Sequence, residues 1–88
     1  MKPRITLYST TYCTYCLAAK RLLNERKIGF EEINLSGDDA QIAAVKSNYG
    51  HSTVPIILLD GKLIGGFDEL SEWDRNGQLK AALEAVPS

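Results

Sequence analysis

Two cysteines, Cys13 and Cys16, stand three residues apart with Thr14 and Tyr15 between them, and the chain has no other thiol. Three residues is close to one helical turn, so on a helix the second sulfur can reach back to the first. Such a pair can exchange disulfides, bind a metal, or simply fill a core as two small side chains. A structural zinc site needs four ligands, and the chain offers two thiols and the single imidazole of His51. A disulfide framework in a small secreted chain uses four or more cysteines, whereas in a reducing compartment a close pair points to redox or metal chemistry. Exchange requires an accessible sulfur that ionises, because the thiolate is the attacking species.

The elements around the pair decide whether it meets that requirement. Ile5 to Tyr8 is short and carries β-branched and aromatic residues, which predicts a strand. Ser9 to Tyr12 is polar and reads as a turn. Cys16, Ala19, Leu22 and Leu23 then share one helical face, with Lys20, Arg21 and Glu25 around it, and Gly29 is expected to stop that helix. Cys13 therefore sits at the helix mouth. There, unpartnered backbone N–H groups and the positive end of the helix dipole favour a thiolate over a thiol. Cys16, one turn in, is expected to be buried and less ionised, and placed to resolve a mixed disulfide on Cys13.

The rest of the chain alternates in the same way. Phe30 to Leu35 reads as a second strand. Ser36, with Asp39 three residues on, resembles a capping box, and Ile42, Val45 and Tyr49 mark the stripe of a second helix closed by Gly50. Ile56–Leu59 and Lys62–Ile64 are strands joined by Asp60-Gly61, a dipeptide that favours the primed hairpin turn. Asp68 can cap a third helix through Leu70 and Trp73. Asn76-Gly77 breaks it, and Leu79, Ala82, Leu83 and Val86 predict a last amphipathic turn or two. Trp73 and Tyr49 read as core. A right-handed crossover makes the first two strands parallel and the hairpin is antiparallel. The expected fold is α/β, a four-stranded mixed sheet with helices on both faces.

Length and composition bound the function. The 88 residues fit one domain, 1–88, and 44% apolar residues is ordinary for a folded chain. A formal net charge of −1 gives no excess of cations with which to displace counterions from nucleic acid, so no nucleic-acid partner is expected. No apolar run follows the basic start, and the longest, Val54 to Leu59, contains Pro55 and is too short to span a bilayer. A cytoplasmic protein with no membrane partner is the expectation.

Three motifs occur in order: Cys13-Thr14-Tyr15-Cys16 after the first strand, Thr53-Val54-Pro55 before the hairpin, and Gly65-Gly66-Phe67-Asp68 after it. In them the chain resembles the glutaredoxins over nearly its whole length. The resemblance implies a thioredoxin-like fold and reduction of protein disulfides and glutathione mixed disulfides, with glutathione as co-substrate. Cys13 would attack and Cys16 would resolve. Tyr15, Thr53, Val54, Pro55, Gly66, Phe67 and Asp68 would form the glutathione groove. By that analogy Val54-Pro55 is cis, although a proline opening a strand is also an ordinary feature. Val54 would pair with the ligand backbone as an added strand does. Glycines at 65 and 66 allow close approach. Asp68 would accept from the ligand's α-amino group beside helix N–H groups that bind its carboxylate, or act only as a helix cap. Tyr15 borders the groove or is simply an exposed helix residue.

The chain departs from the family at Thr14, where many members have proline, and at Thr10 and His51-Ser52, where many have a basic residue. Each missing charge-assisted bond to a glutathione carboxylate would cost about 1 kcal/mol or more. A protonated His51 would compensate, or serve structurally. Two alternatives follow from the same departures. One is a two-iron two-sulfur cluster bridged between protomers, with Cys13 and glutathione as ligands. The other is a redoxin reduced by thioredoxin reductase. The expected partners are glutathione and disulfide-bearing or glutathionylated proteins, and the expected state is a monomer unless bridged by a cluster.

Overall fold

The computed structural model describes residues 3–84. The elements run β1 (Ile5–Ser9), α1 (Thr14–Glu25), β2 (Phe30–Asn34), α2 (Asp39–Tyr49), β3 (Ile56–Leu59), β4 (Lys62–Gly65), α3 (Phe67–Asn76) and α4 (Gln78–Glu84). The sheet order is β2-β1-β3-β4. β1 and β2 are parallel, and β3 is antiparallel to both β1 and β4. This is the mixed four-stranded sheet expected from the strand and helix order.

Side chains on a strand alternate between faces, and here each face has its own core. Ile5 and Leu7 of β1 and Ile57 and Leu59 of β3 meet Ala19 and Leu23 of α1, Leu70 of α3 and Leu79 of α4. The opposite face carries a thinner layer, in which Ile56 and Leu58 pack with Leu35 and with Val45 of α2. Tyr8 and Tyr49 close it, their ring centroids 6.3 Å apart. All four residues of β3 are buried, so this strand needs an unbroken apolar run, and Ile-Ile-Leu-Leu supplies it. Burying one such side chain contributes about 2 kcal/mol, which makes β3 and its neighbour β1 the platform for the loops above them. Trp73 packs against the larger core from its edge.

Several expected element ends move. α1 stops at Glu25, four residues before Gly29, because Lys27 turns into the left-handed region (φ 57°). Leu35 is buried but lies one residue beyond β2. The cap of α2 is Asp38, whose carboxylate accepts from the Gln41 N–H at 3.0 Å, in place of Ser36. Asp60 and Gly61 both have positive φ, 53° and 81°, as the primed hairpin turn demands. Arg4 pairs with Asp60 at 2.7 Å and donates to the Leu83 carbonyl at 2.9 Å, which ties α4 to that hairpin. Val86 lies outside the described residues.

Candidate active site

The parallel β1–α1–β2 unit sets Cys13 at the end of a loop leaving the sheet. Thr11 anchors that loop by donating its N–H to the Ser36 hydroxyl at 2.6 Å. Helix α1 begins at Thr14, and Cys13 is its N-cap, extended at φ −107° and ψ 109°. The Cys13 sulfur accepts from the Cys16 N–H at 3.1 Å and, as a thiol, donates to the Val54 carbonyl at 3.6 Å. A thiolate accepts that N–H bond more strongly than a thiol does.

Cys16 lies beneath, 1% exposed. Its thiol is pushed up to about 12, first by burial, then by the hydrogen bond to Cys13 and that sulfur's charge; a hydrogen bond from the Thr10 backbone and the Lys20 ammonium act in the opposite direction. The two sulfurs therefore have different environments, one half-buried at the surface and one buried and held protonated below. Iodoacetamide at pH 8 is expected to modify Cys13 alone in the folded, reduced protein, and both thiols in urea, by mass spectrometry. The same contrast sets an alkaline limit. An unfolded cysteine ionises near pH 8.5, so stability from the protonated Cys16 is complete below that pH and is lost as pH rises toward 12. Urea unfolding of the reduced protein should show this loss above pH 9, and Cys16→Ala should lack it.

Beside Cys13 runs a groove of about 210 Å³ lined by Tyr15, Thr53, Val54, Pro55, Gly66, Phe67, Asp68 and Glu69. The Tyr15 and Phe67 rings are 6.3 Å apart and tilted by 33°. The Val54-Pro55 bond is cis. A Cβ at Gly66 would lie 3.2 Å from His51 Nε2 and 3.5 Å from the Pro55 carbonyl, so glycine there lets three segments close together. His51 Nε2 is also 3.4 Å from the Thr53 hydroxyl. The groove therefore brings together every groove residue expected from the motifs, and Cys13 stands at its edge through Val54.

Two features of the groove were not expected. Asp68 does not cap α3: Gly66 occupies the N-cap and Asp68 is the second helical residue, exposed and without a hydrogen bond or ion pair among the described residues. Glu69 takes the capping part, accepting the Gly66 N–H at 3.0 Å. Its position three residues after the cap is a signal the sequence carries. In addition, among the described residues Asp68 and Glu69 are the only charged ones that line the groove. The anion-attracting groups there are the first N–H groups of α3.

Comparison with known proteins agrees with this geometry. The glutaredoxin family model matches residues 5–64. A glutaredoxin of Pseudomonas aeruginosa is 36% identical over 83 residues, covering 94% of this chain and 99% of that protein. Glutaredoxin 3 of Escherichia coli K12 is 34% identical over 80 residues, covering 91% and 96%. Among solved structures, a buckwheat glutaredoxin–glutathione complex superposes with a TM-score of 0.85 at 36% identity, covering 92% of this chain and 76% of that one. The cluster-bridging and thioredoxin-reductase-linked alternatives gain no support from these relatives. The chain belongs to the glutaredoxin family, the glutathione-dependent thiol–disulfide oxidoreductases.

Proposed function

We propose that this protein reduces protein–glutathione mixed disulfides through Cys13 alone and protein disulfides through Cys13 and Cys16 together. The observation that carries the reading is the groove beside Cys13, whose lining includes Val54, the residue that accepts from the Cys13 thiol at 3.6 Å, and the first residues of α3. The glutathione half of a mixed disulfide lies in it, with its peptide backbone against Val54 as an added strand. One carboxylate meets the N–H groups at the start of α3, and its α-amino group meets Asp68. The Cys13 thiolate attacks the glutathione sulfur, and the partner protein leaves as a thiolate. A second glutathione thiolate then attacks the bound glutathione sulfur, oxidised glutathione departs, and Cys13 returns as a thiolate. With a protein disulfide, Cys16 displaces the partner from Cys13. The protein acts as a monomer in a reducing compartment, in keeping with a cytoplasmic location.

The test is NADPH-coupled turnover of a small glutathione mixed disulfide, with glutathione and glutathione reductase, on the wild type and Cys16→Ser. Both should turn over, within about threefold of each other, because the buried sulfur takes no part in that cycle. Loss of turnover in Cys16→Ser would mean that both sulfurs are obligatory and would overturn the one-thiol route.

A further inference from the structure

A polar cluster lies under α1 that the mechanism so far leaves unused. In the parallel register Ile5 pairs with Phe30, Leu7 with Glu32 and Ser9 with Asn34. These pairs share the face that α1 covers, and along it the face passes from apolar to polar toward the end that bears the cysteines. Ser9 is fully buried. Its hydroxyl donates to Glu32 Oε2 at 2.6 Å, and Lys20 Nζ donates to that same oxygen at 2.8 Å. The Lys20 and Glu32 side chains are only 27% and 32% exposed. The lysine and the serine hold the Glu32 carboxylate below the usual carboxylate range, in that order of effect. An ion pair held by a buried hydroxyl has a fixed geometry that an ordinary surface pair lacks. It also fixes where the ammonium sits, one turn beyond Cys16 on the same helix.

We propose that Lys20, held in place by Glu32 and Ser9, is a positioning residue for Cys16, and that its ammonium stabilises the Cys16 thiolate as that sulfur displaces a partner from Cys13. The inference rests on the reading that Cys16 resolves. In the step, Cys16 gives its proton to water, and its sulfur bonds to the Cys13 sulfur. The bond from Cys13 to the partner sulfur breaks, and the partner leaves as a thiolate that water reprotonates. The partner is reduced, the cysteine pair is oxidised, and two molecules of glutathione restore it. Cys16 is 1% exposed, so water does little to stabilise its charge. The titratable groups that act on it are Cys13, which opposes ionisation, and Lys20, which assists it. Glu32 faces the site through Lys20.

The magnitude follows from two opposing effects. Removing a cation one turn away raises a thiol by at most about one unit here, because Lys20 is the smallest of the influences on Cys16 and Glu32 offsets part of its charge. At that limit the thiolate fraction falls about tenfold while the more basic sulfur becomes about threefold more nucleophilic, a net slowing of up to about threefold. The experiment mixes reduced protein with oxidised glutathione, quenches with acid from pH 6 to 10, and separates the Cys13–glutathione adduct from the Cys13–Cys16 disulfide by mass. Lys20→Met should close its disulfide up to about threefold more slowly relative to the first exchange at each pH from about 6 to 10, where the Cys16 thiol stays mostly protonated. Lys20→Arg should restore the rate, and Lys20→Gln should repeat the Lys20→Met result if that variant folds poorly. Closure as fast in both neutral variants as in the wild type overturns the role of Lys20. An adduct that never closes in the wild type overturns the resolving role of Cys16, and the inference with it.

Discussion

Replacing Cys13 with serine should lower turnover of a glutathione mixed disulfide by at least about a thousandfold while leaving the fold intact. The fold survives because serine is itself a strong N-cap and its oxygen can accept the Cys16 N–H as the sulfur does. The activity does not, because a hydroxyl ionises far less readily than a thiol and an oxygen cannot form the mixed disulfide. The neighbouring sulfur cannot substitute. Cys16 is 1% exposed and its thiol is pushed up to about 12, so at neutral pH it is neither reachable nor ionised. The assay is the coupled turnover described above, with circular dichroism to show that the helices remain. Residual turnover of a tenth or more would mean that the mouth of α1 opens enough to expose Cys16, and the division of labour between the two sulfurs would fail.

What was legible in the sequence is what a few neighbouring residues decide. Cys13 at a helix start, Asp60-Gly61 as a primed turn and the apolar run of β3 each follow from local rules, and the structure has all three. The groove was legible from its three motifs, because each is a short segment at the end of an element. Element ends were less so. Ser36 and Asp38 are both capable caps, and the choice falls to Asp38 because the Ser36 hydroxyl already holds the Thr11 N–H. Gly29 looked like the end of α1, but Lys27 reverses the chain first at φ 57°, a conformation that pattern alone does not assign to lysine. The Ser9–Glu32–Lys20 cluster was invisible for a different reason. It joins residues of three elements, and only the register of β1 on β2 brings them together. Read along the chain, Glu32 is one of two adjacent acidic residues in a strand that looks like an exposed edge.

Gly65→Ala should have the largest effect on stability, about 3 kcal/mol, and should weaken the groove with it. Two costs combine. Gly65 sits at φ +135°, where a residue with a Cβ is strained by about 1–3 kcal/mol. The added carbon would also lie 2.5 Å from Glu69 Oε1 and 2.7 Å from its Cγ, so Glu69 must move and its bond to the Gly66 N–H is lost, at about 1 kcal/mol. A domain of this size holds only about 5–15 kcal/mol in reserve, so the loss should lower the melting temperature by roughly 15 °C. The functional effect follows from the position of Glu69, which lines the groove and accepts the Gly66 N–H at the start of α3, whose first residues also line it. Displacing it moves Gly66 and the start of α3, to which the proposed function assigns glutathione binding, and leaves Cys13 on a different element. KM for glutathione should therefore rise more than kcat falls. Gly37→Ala is the control: its φ is +84°, but a Cβ there meets nothing within 4 Å, so it carries the backbone cost alone. Urea unfolding of the two variants separates the terms. If both lose the same stability, the contact with Glu69 costs nothing and the link from Gly65 to the groove is wrong.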